Sequence, residues 1–387
     1  MKVSSRINDI QPFHVMALLA RAKELEASGK DIVHMEIGEP DFPTPAPVVE
    51  AGIQAISDGD VHYTPAAGLP ALRQTIAEFY QTRYAESVAA SRIVITPGAS
   101  GALMLALGVI MQEGDEVLLA DPGYPCNRNF VRFLSGKTRS ISVDASTAYQ
   151  LNLNHLKDNW QKNTAAVIVA SPSNPTGTVL AKSELIAMAE FVKEQGAYLI
   201  VDEIYHGLVY SGESETAVSI NENIIVINSF SKYFNMTGWR LGWIVAPEKL
   251  VSDMDKLAQN IFLAAPTPAQ HAALAAFKPE TIAILESHKN EFKQRRDFLL
   301  PELKKLGFIV EVEPQGAFYI YASCEKFTND SYQFTYDLLE NAGVAITPGK
   351  DFGYNKANTF VRFAYTTSVE RLEEGIKRLT NYLTKNN

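Results

Sequence analysis

Residues 166–202, AVIVASPSNPTGTVLAKSELIAMAEFVKEQGAYLIVD, contain two short apolar runs separated by a helical pattern. The runs AVIVAS (166–171) and AYLIVD (197–202) are almost continuously apolar, as strands are when both faces of a sheet are covered. The segment KSELIAMAEFVKEQG (182–196) between them repeats its apolar residues at helical spacing. A strand, a helix and a second strand in this order are typical of two parallel strands joined by a crossover helix. The stretch therefore predicts an α/β fold.

Further runs of strand length extend this pattern through the middle of the chain, and helical patterns alternate with many of them. Together they predict a large domain with a mostly parallel seven-stranded sheet flanked by helices. The other five runs are RIVIT (92–96), EVLLA (116–120), TRSISV (138–143), IIVINS (224–229) and GWIVA (242–246).

The character of the sequence changes after about Lys278. A long charged helical pattern (281–307) leads into short strand-like runs, which predict a smaller α+β domain. We expect an N-terminal arm that forms part of the small domain over 1–45, a large cofactor-binding domain over 46–280 and a small C-terminal domain over 281–387. The strand-like runs are FIVEV (308–312), AFYIYA (317–322) and TFVRFAY (359–365).

Composition excludes several classes of partner. Of the 387 residues 46% are hydrophobic and 20% charged, which is ordinary for a globular protein. The net charge of -9 and the lack of a basic block argue against nucleic acid as the main partner. The apolar runs fall short of the ~18 residues that a membrane span needs, so no membrane partner is expected. Cys126 and Cys324 have no metal-ligand spacing, so we expect no metal site and a cytoplasmic location.

Ligands of open α/β sheets bind beyond the carboxyl ends of the strands, so the residues that follow each run are the candidates. After residues 92–96 comes PGASGAL (97–103), a glycine-bearing turn that opens a helix whose free N–H groups would favour an anion. At the other strand ends stand Tyr124, Asn174, Asp202 with Tyr205, and Ser231 with Lys232.

One ligand, pyridoxal 5′-phosphate, could use all of these groups. Its phosphate suits the helix N-terminus, the serine hydroxyls and Arg240, and its ring suits the face of Tyr124. A carboxylate such as Asp202 would keep its pyridine nitrogen protonated, and the amine of Lys232 would form a Schiff base with its aldehyde.

The order of motifs along nearly the whole chain resembles that of class I and II aminotransferases, which are pyridoxal-phosphate enzymes of fold type I. The segment SFSKYFNMTGWRLGW (229–243) is similar to their cofactor-lysine signature. A single piece such as NPTG is a weak signal, whereas the ordered set is specific. The other members are IGEPDFPTP, YTPAAGLPALR, PGASGAL, DPGYP, SPSNPTGTV, VDEIY, PQGAFY and FVRFAY.

The resemblance implies an aminotransferase of amino acid metabolism and biosynthesis. It would move an amino group from an α-amino acid to an α-keto acid through a Schiff base on Lys232. Lys232 would then carry the α-proton, Asp202 would pair with the pyridine nitrogen, and Tyr205 would bind the ring oxygen. The other implied cofactor contacts are Asn174 on the ring oxygen, Tyr124 on the ring face, and Ser100, Gly101, Ser229, Ser231 and Arg240 on the phosphate.

The resemblance also implies a homodimer with shared active sites, in which Tyr63 of YTPAAG reaches the phosphate in the neighbouring subunit. Arg362 of FVRFAY would grip the substrate α-carboxylate as a bidentate fork, helped by Gly38 and Asn174. The Asn174–Pro175 bond is implied to be cis.

Other functions stay open on the same residues. A carbon–sulfur β-lyase, a decarboxylase or a synthase acting on an amino acid shares the fold and the cofactor. A transcription regulator that uses this fold carries a DNA-binding module in front, whereas only about 45 residues precede the large domain here. A nicotinamide-dependent dehydrogenase needs G-x-G-x-x-G after its first strand, which PGASGAL does not provide.

The sequence does not identify the side chain of the amino donor. Candidates to contact it are His14, Val15 and Met16 of the arm, and Asn127 and Arg128 after Tyr124. Arg128 is expected either to attract an acidic side chain or to be an ordinary surface arginine.

Overall fold

Two β-sheets organise the computed structural model, which describes residues 3–10, 12–211 and 215–386. The strands are β1 Val33–Met35, β2 Ile93–Thr96, β3 Glu116–Asp121, β4 Lys137–Ser142, β5 Thr164–Ala170, β6 Tyr198–Asp202, β7 Ile224–Ser229, β8 Gly242–Val245, β9 Tyr319–Ser323, β10 Val344–Pro348 and β11 Phe360–Ala364. The helices are α1 His14–Ala27, α2 Ala46–Ser57, α3 Pro70–Tyr84, α4 Gly98–Ile110, α5 Pro125–Phe133, α6 Leu153–Asn159, α7 Lys182–Glu194, α8 Glu248–Ile261, α9 Thr267–Ala276, α10 Pro279–Leu306, α11 Ser331–Asp337 and α12 Val369–Asn386.

The large sheet has seven strands in the order β2-β8-β7-β6-β5-β3-β4. The pairs from β7 through β4 are parallel, and β8 runs antiparallel to both of its neighbours. All seven strands predicted from the apolar runs are present, and the mostly parallel α/β sheet is confirmed.

Both faces of the large sheet are buried except along its edge strand β4, which explains why the other six strands lack a polar alternation. In β6, Leu199 and Val201 join one apolar cluster, while Ile200 between them joins the cluster on the opposite side. Successive side chains of a strand point to opposite faces, so each layer of helices receives its own apolar set.

The small sheet has four strands in the order β1-β10-β11-β9. The β1–β10 pair is parallel, with Val33 opposite Val344, and the other two pairs are antiparallel. The sequence patterns predicted β9 and β11 but neither β1 nor β10. The strand predicted at residues 308–312 is absent, because Ile309 alone pairs, with Ser323.

The predicted boundary at 280/281 falls in the first turn of α10, which runs on without a break to Leu306. The division into an arm, a large domain and a small domain stays a prediction. In the described part of the chain, none of the helices combines the length and apolar character that a membrane crossing requires.

Candidate active site

A cavity of about 320 Å³ lies where the carboxyl ends of β5, β6 and β7 meet the N-terminus of α4. Of the thirteen site residues expected from the sequence, eleven line it, from segments spread over the whole chain. They are Gly38, Ser100, Tyr124, Asn174, Asp202, Tyr205, Ser229, Ser231, Lys232, Arg240 and Arg362.

Lys232 follows β7, and its amine is held inside the cavity. Its Nζ donates a hydrogen bond to the carbonyl oxygen of Gly38 at 2.7 Å. Burial lowers the pKa of Lys232 to about 8, while the charge of Glu39 opposes this shift and that of Arg362 adds to it. The amine therefore loses its proton far more readily than a lysine in water, which is what a nucleophilic lysine requires.

Asp202 is the last residue of β6, and its side chain is buried. One carboxylate oxygen accepts a hydrogen bond from the backbone N–H of Ile204 at 3.2 Å. Burial raises the pKa of Asp202 to about 6, against the opposing effects of that N–H and the charge of Lys232. A buried carboxylate is stabilised by a cationic partner, so this position suits a protonated ring nitrogen.

Arg362 on β11 lies buried beside the loop that follows β5. It donates to the Asn174 side-chain oxygen at 2.9 Å and to the Glu36 carbonyl at 2.6 Å. Its buried Nε has no acceptor among the described residues. With a third, to the Thr347 hydroxyl at 3.2 Å, these hydrogen bonds fix the plane of a guanidinium that keeps a donor for a ligand carboxylate. The Asn174–Pro175 bond is cis, as the resemblance implied.

Two tyrosines meet beneath the cavity. The hydroxyls of Tyr205 and Tyr319 lie 2.8 Å apart, and the Arg362 guanidinium lies 4.2 Å from the centre of the Tyr319 ring. Burial raises the pKa of Tyr205 well above its usual value, so the phenol stays a neutral donor. Tyr124 occupies the N-cap position of α5, and Phe13 packs edge-on against its ring at 6.5 Å between ring centres.

Arg240 and the first turn of α4 form the opposite end of the cavity. Arg240 Nη1 donates to the Thr237 carbonyl at 2.9 Å. A side chain at Gly98 would place its Cβ 2.5 Å from Arg240 Nη2, and the backbone of Gly98 has a positive φ of 71°. Glycine is therefore needed here for the guanidinium to approach the helix N-terminus. The Ser229 hydroxyl accepts from the Ser231 N–H at 3.0 Å and braces the turn.

Two expected residues do not line this cavity. Gly101 lies in the first turn of α4 beside Ser100. Tyr63 is 82% exposed. Within this chain, neither contributes to the lining.

The donor-contact candidates divide into two groups. Val15 and Met16 line the cavity. His14 instead packs its ring against Tyr332, and Asn127 lines a separate small cavity of about 30 Å³. Arg128 donates to the carbonyls of Phe352 and Asp351 and does not line the active-site cavity, so the structure does not place it to attract an acidic side chain.

Several lining residues were missed by the sequence interpretation. Tyr319 belongs to the PQGAFY motif, which the resemblance included without a role, so its presence in that motif was the available signal. Glu39 and Thr237 lie within two other such motifs. Ile37 shares the IGEPDFPTP motif with Glu39, whereas Phe13 and Leu19 had no signal, because only the fold brings α1 to this cavity.

Comparison with known proteins places these residues in a family context. Residues 30–379 match the family model described as aminotransferase class I and II. The chain is 40% identical to the (5-formylfuran-3-yl)methyl phosphate transaminase of Methanocaldococcus jannaschii, over 99% of this chain and 100% of that protein. It is 38% identical to the valine–pyruvate aminotransferase of Mycobacterium tuberculosis, over 97% of each. The crystal structure of an aminotransferase from Mycobacterium tuberculosis superposes with a TM-score of 0.96 at 37% identity, covering 100% of both chains.

Proposed function

Because the chain belongs to the aminotransferase class I and II family, we propose that it catalyses transamination with pyridoxal 5′-phosphate held around Lys232. The observation that carries this proposal is one cavity that contains a lysine amine of lowered pKa, a buried carboxylate, and an arginine beside a helix N-terminus. When bound, pyridoxal phosphate supplies an aldehyde that condenses with primary amines and a ring that withdraws electrons.

The phosphate fits the end of the cavity formed by α4 and Arg240. The free N–H groups of the first turn of α4 and the helix dipole favour an anion. Arg240 cannot lose its charge and has five N–H donors, of which the described structure pairs one, with Thr237. Ser100 and Ser231 line the same end and offer hydroxyl groups.

The ring fits between Tyr124 and the floor of the cavity. Asp202 would hold the proton of the pyridine nitrogen, because a cation beside it offsets the cost of its burial. Tyr205 and Asn174 line the same cavity and would donate to the ring oxygen. Tyr124 would cover one face of the ring and exclude water from it.

Lys232 would perform the proton transfers. Its Nζ is a nucleophile in the neutral form, and the depressed pKa raises the neutral fraction near pH 8. With the substrate held in the cavity, the neutral Nζ would take the proton from the substrate Cα, hold it as an ammonium group and later give it back to the reacting carbon. Arg362 and Asn174 would hold the α-carboxylate meanwhile, so that the Cα–H bond stays in reach of Nζ.

We also propose that the working molecule is a homodimer. Tyr63 is 82% exposed, and large apolar side chains close to it in sequence are exposed too, namely Ile53, Ile56 and Val61. Exposed apolar patches of this kind mark association surfaces. A second copy would cover them and bring Tyr63 to the phosphate end of the partner's cavity.

The direct test combines cofactor mapping with turnover. After loading with pyridoxal phosphate and reduction with borohydride, peptide mass mapping is expected to find the cofactor on the peptide that contains Lys232. Lys232→Ala should lose transamination of every amino donor, whereas Lys249→Ala, which removes a lysine outside the cavity, should retain it. Turnover by Lys232→Ala at the wild-type rate would contradict the proposed role of Lys232.

A further inference from the structure

The wall of the cavity formed by α1 and the segment after β1 is apolar. The side chains of Phe13, Val15, Met16, Leu19 and Ile37 line the cavity there. Val15 is buried, whereas Met16 is 56% exposed and lies at the rim. A substrate side chain that lay on this wall would exchange water for apolar contacts.

Each cationic side chain that lines the cavity already has a role in the proposed function. Among the described residues that line it, the lysines and arginines are Lys232, Arg240 and Arg362. The proposed function uses these three for the cofactor aldehyde, the phosphate and the substrate α-carboxylate. Arg128 is engaged with backbone carbonyls outside the cavity. Among the described residues that line the cavity, no further lysine or arginine is left to pair with a second carboxylate on the substrate.

Glu39 adds a negative charge to the same cavity. It is exposed, lines the cavity and acts on Lys232 as the strongest of the charges around that amine. An acidic substrate side chain would meet this like charge as well as the apolar wall. Like charges brought together in a partly desolvated site disfavour binding.

We propose that this enzyme takes amino donors with uncharged, apolar side chains, and that Met16 and Glu39 help to exclude acidic ones. This inference rests on the proposed function and names the substrate class of the same site. In the overall reaction the amino donor becomes a 2-oxo acid, and the 2-oxo acceptor becomes an amino acid. The oxidation of the donor is balanced by the reduction of the acceptor, so no other oxidant is needed. Since both acids occupy the cavity in turn, the acceptor is also a 2-oxo acid without an acidic side chain, such as pyruvate.

The first measurement compares kcat/KM for leucine, methionine and phenylalanine with that for aspartate and glutamate, with pyruvate as the common acceptor. Burial of an aliphatic or aromatic side chain favours the apolar donors by at least about tenfold. Aspartate or glutamate turned over as well as the apolar donors would overturn the inference. Loss of turnover with all five donors would instead contradict the proposed function.

Matched charge variants test the wall itself. Met16→Lys adds a cation at the rim and is expected to shift the acidic-to-apolar ratio of kcat/KM toward acidic donors by roughly fivefold. Ala17→Lys places the same charge on the adjacent exposed position, which does not line the cavity. If the acidic-to-apolar ratio of kcat/KM shifted equally in both variants, or did not shift in Met16→Lys, Met16 would have no part in excluding acidic donors.

Glu39→Gln should also shift the acidic-to-apolar ratio of kcat/KM toward acidic donors, by a few-fold. The substitution removes the negative charge that would repel an acidic side chain and keeps the shape of the residue. Glu373→Gln on the exposed side of α12 is the matched control and should leave the ratio unchanged. A ratio that is unmoved by Glu39→Gln would show that Glu39 does not discriminate.

Binding of non-reacting acids gives a readout that does not need turnover. Calorimetry on the cofactor-loaded enzyme should show 3-phenylpropanoate binding at least about tenfold more tightly than succinate. Arg362→Ala should weaken both, because both present a carboxylate to that arginine. Tighter binding of succinate would overturn the inference even if transamination itself were observed.

Discussion

At the scale of single residues, Asp202 and Lys232 have their pKa values perturbed by burial in one cavity. Each is shifted toward its neutral form, since burial disfavours charge. The sequence indicated both positions, because each stands where a predicted strand ends. It could not indicate the shifts, which depend on how deeply the folded chain covers the two groups.

The first prediction concerns the stability of the cofactor-free protein. The pKa of Asp202 rises from 3.8 in the unfolded chain to about 6 in the folded protein, so the folded state binds more protons between these values. Stability therefore falls as the pH rises from about 4 to 6, and the cost of about 3 kcal/mol persists above that range. Asp202→Asn should gain up to this amount relative to wild type at pH 7, and little at pH 4, as measured by urea unfolding.

The control for this prediction is Asp158→Asn, which changes an exposed aspartate on α6. Its unfolding free energy should follow that of the wild type at both pH values. Asp202→Asn should also transaminate poorly, because an amide cannot offset the charge of a ring nitrogen. If Asp202→Asn were only as stable as wild type at pH 7, the buried charge of Asp202 would not destabilise the folded protein.

The second prediction concerns Arg362→Lys, which keeps the positive charge but loses the planar fork. Because it loses a charge-assisted hydrogen bond to the α-carboxylate, kcat/KM should fall roughly tenfold to hundredfold, mainly through KM. Arg371→Lys is a suitable control, since Arg371 forms an ion pair with Asp31 away from the cavity. A fall in kcat at constant KM would contradict a role in carboxylate binding.

At the scale of elements, the junction of β2 and α4 builds the anion end of the cavity. The third prediction is that Gly98→Ala weakens pyridoxal phosphate binding by about tenfold, because the new Cβ displaces Arg240 and with it a charge-assisted bond. Its unfolding free energy should also fall by about 1–2 kcal/mol, because alanine is strained at a positive φ. Cofactor affinity can be measured by absorbance titration.

Gly29→Ala separates the two effects. Gly29 also has a positive φ, of 92°, but a Cβ there meets nothing within 4 Å. This variant should lose similar stability and keep the affinity for the cofactor. Equal affinity losses in both variants would show that backbone strain, and not the contact with Arg240, causes the effect.

The elements differ in how well the sequence predicted them. The sequence predicted all seven strands of the large sheet, six of them nearly continuously apolar and the edge strand β4 mostly polar. β1 has only three residues, including the partly exposed His34, and β10 ends in a proline, so neither gave a clear pattern. Residues 308–310 alternate buried, exposed and buried like a strand, but pair only through Ile309. Burial pattern alone cannot show whether a neighbouring strand is within reach.

At the scale of the whole molecule, the fourth prediction tests whether two copies share their active sites. Lys232→Ala and Tyr63→Ala are each expected to form impaired homodimers at limiting cofactor. In a mixed dimer, one cavity would combine an intact Lys232 with an intact Tyr63 from the other copy. Statistical mixing in equal amounts should therefore restore about a quarter of wild-type activity. Activity no greater than the average of the two parents would show that Tyr63 does not act across an interface.

The assembly of the cavity from distant segments limited what the sequence could reveal about specificity. The strand-end residues could be grouped because parallel strands share one carboxyl edge. The apolar wall comes from α1 and the segment after β1, whose position depends on contacts with the far end of the chain. The sequence interpretation named Val15 and Met16 as candidates, but no local pattern reports such contacts, so the rest of the wall was found only in the folded protein.

The pairing of β1 with β10 also limits when the small sheet can form during synthesis of the chain. Val33 leaves the ribosome early, but its partner Val344 is made near the end of translation. At elongation rates of about 5–20 residues per second, this interval is on the order of half a minute. During that time Gly38 and Glu39, which follow β1, have no sheet to hold them. A nascent chain therefore carries Lys232 with an ordinary lysine pKa until the cavity that lowers this pKa can close.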